Sequence, residues 1–90
     1  VIQADREVST LYRLIYDPGT EAAHDALPPA ASEALTLSLE AACWDPIGQT
    51  RPRGEADEWN RTVLTDGALA LVFISHTHKT IAVLDVIPLA

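Results

Sequence analysis

Ala68-Leu-Ala-Leu-Val-Phe-Ile-Ser75 decides the fold. Its seven apolar residues before the serine predict a strand buried on both faces. Asp66-Gly67 precedes it and His76-Thr-His-Lys79 follows it, each the polar punctuation of a hairpin turn. Beyond the second turn, Thr80-Ile-Ala-Val-Leu-Asp-Val-Ile87 predicts another strand. Its period-two alternation sets Ile81, Val83 and Ile87 on one face and Ala82, Leu84 and Val86 on the other. The stretch from Trp59 to Ile87 is therefore expected to form a three-stranded antiparallel meander, apolar on both sides. Helices upstream can cover one side only, which leaves the other to a partner.

Working outward, Leu11-Tyr-Arg-Leu-Ile-Tyr16 alternates as a strand, and Asp17-Pro18 opens a helix. Aspartate accepts a free first-turn N–H, and proline at the next position loses no hydrogen bond. This short helix carries Ala22, Ala23, Ala26 and Leu27 inward and stops at Pro28-Pro29. A longer helix runs from about Pro29 to Cys43, with Ala30, Ala34, Leu37, Ala41 and Trp44 at helical spacing and Leu35, Leu39 and Ala42 widening the stripe. Asp45-Pro46 ends it. The stretch from Ile47 to Asp57, with Gly48, Pro52 and Gly54, is expected to be a surface loop. The predicted architecture is α+β in the order β-α-α-β-β-β, a helical hairpin packed on a four-stranded antiparallel sheet. Residues 1–10 are polar without a period and are assigned as a lead-in; 11–90 form one domain.

Ninety residues suffice for a single core. Thirteen acidic against six basic residues give a net charge of −7, which argues against a broad grip on nucleic acid. No apolar run is long enough to span a bilayer, so no membrane partner is expected. The single Cys43 admits no internal disulfide, and no secretory leader pattern opens the chain, so the expectation is cytoplasmic.

Tyr12-Arg-Leu-Ile-Tyr-Asp-Pro18, Ala26-Leu-Pro28, Asp45-Pro46, Arg61 in the second strand, Asp66-Gly67 and Ile81-Ala-Val-Leu-Asp-Val86 occur in an order that resembles the RelE/ParE superfamily of bacterial toxins from type II toxin–antitoxin systems. The likeness spans Leu11 to Val86. It implies a cognate antitoxin that wraps the toxin surface, and a target that is DNA gyrase in the ParE-like branch or the ribosome in the RelE-like branch. Ribosome-dependent RNases of the superfamily place an arginine just after the glycine turn and a His, Tyr or Arg near the C-terminus. Here those regions read Ala68-Leu-Ala-Leu71 and Ile87-Pro-Leu-Ala90. Cleavage by 2′-hydroxyl attack needs a base, an acid and positive charge together, because charge develops on the phosphate in the transition state. The reading favoured is a toxin module that acts by binding proteins. The alternatives are an mRNA endonuclease with a non-standard site, drawn from Arg51, Arg53, Arg61 and His78, and a degenerate, non-toxic interaction module.

His76 and His78 have a metal-ligand spacing, with Asp85, Cys43 or His24 as a third donor, but they fall where a turn is required, and an exposed turn is the preferred reading. No metal or other cofactor is expected. Arg51, Arg53 and Arg61 are the cationic set for a phosphate or carboxylate notch; interspersed with Glu55, Asp57 and Glu58, they are more simply solvated or locally paired. Trp59, Arg61 and Lys79 are the partner-binding candidates, with Trp44 expected in the core. Asp85, alone in an apolar strand, is expected to pair with Arg13 or Arg61. A homodimer would cover the open sheet face as well as an antitoxin.

Overall fold

Asp17 closes the first strand and starts the first helix, its Oδ1 accepting from Thr20 N–H at 2.7 Å. That bond is the chief reason its carboxyl is held below the usual range. The computed structural model describes residues 11–54 and 57–89. In chain order the elements are β1 Arg13–Tyr16, α1 Pro18–Asp25, α2 Pro29–Trp44, β2 Arg51–Pro52, β3 Asn60–Leu64, β4 Ala68–Ser75 and β5 Thr80–Pro88. The lead-in assigned to residues 1–10 lies outside the described residues.

The α+β class and the helical hairpin on a sheet are as expected, and the meander is antiparallel throughout. Two features of the sheet differ from the expectation. It has five strands, in the order β1-β5-β4-β3-β2, because two residues of the expected loop, Arg51 and Pro52, pair with Thr62 and Arg61. It is also mixed: β1 runs parallel to β5, with Tyr16 opposite Val83. The helices carry the chain back across the sheet, so the first strand lies beside the last in the same direction.

The core lies between the helices and one sheet face. Leu27, Leu35, Leu39, Ala42 and Cys43 meet Val63, Ala68, Ala70, Val72, Ile74, Ile81, Val83 and Val86. This corrects the expected face of α2. Leu35, Leu39 and Ala42 form its buried stripe, whereas Leu37 is 60% exposed and Trp44 53% exposed. α2 is apolar on several sides, and spacing alone does not choose among them. The close approach of the sheet to α2 is visible at Gly67, where an added Cβ would lie 2.6 Å from the Ala31 Cβ.

β5 corrects a second expectation. A bulge between Leu71 and Val72 of its partner makes Leu71 pair with Asp85 and Val72 with Val83, leaving Leu84 as the extra residue. The alternation therefore shifts by one. Val86, not Ile87, joins Ile81 and Val83 in the core, and Leu84 and Asp85 are both exposed. β4 is buried on one face only: Ala68, Ala70, Val72 and Ile74 face the helices, while Leu69 and Leu71 are half-buried and Phe73 is 40% exposed.

Candidate functional site

Among the described residues nothing packs on the sheet face away from the helices. Register places Ile15 beside Ala82, Ala82 beside Phe73, Leu71 beside Asp85 and Thr62, and Leu69 between Ile87 and Leu64. Ile15, Leu64, Phe73, Leu84 and Ile87 are all exposed. The face is thus an apolar band from β1 to β3, closed at the β2 edge by polar residues.

Arg51 stands at that edge, opposite Thr62 and exposed. Arg53 lies two positions on and donates to Asn60 Oδ1 at 2.7 Å. Both belong to the strand edge flanking the open face, since residues two apart share a side. Arg51 also borders a polar cleft of about 300 Å³ that includes Ser38, Gln49 and Thr50. Glu55, read with these arginines, lies outside the described residues.

Arg61 does not join them. Its register neighbours Val72 and Pro52 place it toward the covered side, where it is 7% exposed. Its Nε donates to Thr50 Oγ1 at 2.9 Å, and its terminal nitrogens donate to the carbonyls of Asp57 at 2.9 Å, Ile47 at 3.1 Å and Thr50 at 2.9 Å. These bonds fasten the segment between α2 and β3 to the sheet. A guanidinium so engaged is held away from any ligand at the open face. Asp57 completes the loop by accepting from the backbone N–H groups of Asn60 and Trp59, at 2.7 and 2.8 Å. Those two bonds, with Arg61 nearby, hold its carboxyl below the usual range.

The β4–β5 turn holds the remaining candidates. His76 Nε2–H donates to the Glu58 carbonyl at 2.7 Å, which fixes the tautomer, so Nδ1 accepts from the Tyr12 hydroxyl at 2.8 Å. Both ring nitrogens are engaged. His78 is exposed, its backbone N–H donating to Ser75 Oγ. Lys79 takes a left-handed conformation with φ 57°, and its Nζ lies 5.3 Å from the Tyr12 ring centroid, a cation–π contact. Among the described residues no cluster of three metal-ligating side chains forms. Trp59 is 51% exposed beside this turn, and its carbonyl accepts from Ile74 N–H at 2.8 Å.

Asp85 is not the expected ion-pair member. Its Oδ1 accepts from its own Val86 N–H at 2.9 Å, and among the described residues neither Arg13 nor Arg61 reaches it. The bulge turns it outward instead.

Sequence reading missed the two tyrosine–histidine pairs. Tyr12 and Tyr16 fall on the covered side near β1, and Tyr16 donates to His24 Nδ1 at 2.7 Å. His24 Nε2–H donates to the Ser32 carbonyl at 3.0 Å, so this pair ties β1, α1 and α2 together. The available signal was His24 among the alanines of a short helix, and Tyr12 and Tyr16 at same-face spacing. Cys43 is buried, and that burial pushes its thiol up, with Glu40 adding to it.

With this geometry in place, the comparisons with known proteins fix the fold. The chain is similar to a chain of the crystal structure of the toxin–antitoxin complex RelBE2 from Mycobacterium tuberculosis, with a TM-score of 0.72 and 16% identity. The match covers 87% of this chain and 98% of that one. It is also similar to a double arginine-to-alanine mutant of the Escherichia coli toxin RelE in the free state, with a TM-score of 0.70 and 19% identity, over 86% of this chain and 82% of that one. No protein-family model and no curated protein sequence matches the chain. The fold is that of RelE-type toxins. Among the described residues no helix is long and apolar enough to cross a membrane.

Proposed function

We propose that this chain is a RelE-type toxin module that works by binding proteins, with an antitoxin as its cognate partner. The observation that carries the reading is the apolar sheet face that the described residues leave exposed, with Phe73 at its centre. A large apolar patch ringed by polar residues marks an interaction site. The RelBE2 chain of similar fold is part of a toxin–antitoxin complex. Engagement of His76 and Arg61 in structural hydrogen bonds supports binding over catalysis. The cellular target, DNA gyrase or the ribosome, comes from the family resemblance, and the cytoplasm is the compartment that goes with either.

Co-expression with the product of the adjacent reading frame tests the partner. The expected result is a stable stoichiometric complex by size exclusion with light scattering. A chain that elutes alone beside that product contradicts the reading.

A second reading has one observation in its favour. Arg51 and Arg53 flank the open face at one edge, where guanidinium groups suit a phosphate, and His78 is exposed in the β4–β5 turn. Loss of ribosome-dependent mRNA cleavage in Arg51→Ala would support it.

A further inference from the structure

Asp85 is an exposed carboxylate on a mainly apolar face that also carries Thr62, and among the described residues no cation pairs with it. The β5 bulge turns it outward together with Leu84, and its register partner on the open face is Leu71. Leu69, Phe73 and Ile87 belong to the same face. Among the described residues no strand pairs with β5 beyond Val83 on its β1 side, since β1 ends at Tyr16. The carboxylate accepts only from Val86 N–H among the described residues.

We propose that this face docks a segment of a second protein whose apolar side chains cover Phe73, Leu71 and Leu69 and whose lysine or arginine meets Asp85. The inference rests on the reading of the chain as a protein-binding module and gives that partner its chemistry. Covering an ionised carboxylate without a cation is costly, so a segment that seals this face must bring positive charge to Asp85. The chain's net charge of −7 steers a basic segment in the same direction. A second copy fits poorly. It would carry its own −7 and bring a second Asp85 to the interface.

A charge beside a strand edge that the described residues leave unpaired also discourages edge-to-edge pairing, and the test separates that role from docking. Two synthetic peptides with one leucine pattern, differing only in a central lysine or glutamate, are titrated by fluorescence anisotropy into the folded chain. The lysine peptide is expected to bind about tenfold or more tightly than the glutamate peptide. Asp85→Asn removes the preference, Asp85→Lys inverts it, and Phe73→Ser weakens both peptides. Asp85 is exposed and, among the described residues, bonded only within its own strand, so circular dichroism of its variants should match the parent. Equal binding of the two peptides, or binding of neither, overturns the proposal, as does a dimer by light scattering that Phe73→Ser dissociates. Growth arrest on expression is read separately. Arrest with equal peptide binding refutes this inference and leaves the toxin reading standing, whereas charge-selective binding without arrest does the reverse.

Discussion

Arg61 Nε donates to Thr50 Oγ1, and Thr50 Oγ1 in turn donates to the Pro46 carbonyl. This relay ties the α2–β3 connection to the sheet. Arg61→Ala leaves the Ile47, Thr50 and Asp57 carbonyls without that donor and is expected to cost about 3 kcal/mol in urea unfolding. Arg61→Lys should recover less than half, because an ammonium lacks the planar fork that reaches separate carbonyls. Parent-like stability of Arg61→Ala would show that the loop does not depend on the guanidinium.

The Tyr16 phenol gives a pH-dependent test. Burial, aided by Asp25 and Glu21, pushes it up to about 12 from 10.0. The folded state therefore holds the proton where the unfolded state releases it. The contribution is complete below pH 10 and is lost as pH rises through 12. Discounted for a half-open site, the loss is about 1 kcal/mol. Thermal melts across this range should show a steeper decline for the parent than for Tyr16→Phe, and parallel declines would refute the assignment.

Leu35 and Leu37 stand two residues apart on α2 with opposite burial. Leu35→Ala opens a cavity against the sheet and is expected to cost about 3 kcal/mol, while Leu37→Ala should stay within about 0.5 kcal/mol. Similar losses in denaturant unfolding would mean that the helix presents a different face.

That pair also shows how far the sequence was legible. The strands of the meander, the Asp17-Pro18 helix start and the helical hairpin were readable, because caps, prolines and period-two runs are local signals. The α2 face was not. Ala30, Ala34, Leu35, Leu37 and Leu39 surround much of the helix, and the choice falls to contacts with the sheet. The bulge at Leu84 carries no glycine or other local mark, so Val86 and Ile87 were assigned to the wrong faces. The parallel pairing of β1 is likewise a long-range property. At the site, sequence grouped Arg51, Arg53 and Arg61 by type. The strand's alternation separates Arg61 from the other two, and the Tyr12–His76 pair joins residues 64 positions apart, beyond what spacing reveals.

Gly67 in the β3–β4 turn lies against Ala31 of α2. Gly67→Ala sets a methyl group against Ala31 and is expected to cost about 1–3 kcal/mol by overpacking. Ala31→Gly in the same chain should restore part of that loss, beyond the additive expectation for the two changes. A strictly additive double mutant would show that the contact relaxes freely.

Inducible expression in a bacterial host, with total RNA and plasmid supercoiling read from one culture, tests the central claim most directly. A toxin module that acts by protein binding predicts growth arrest with intact mRNA, and altered supercoiling would identify gyrase as the bound target. Arrest with fragmented mRNA would contradict the account and favour the endonuclease reading.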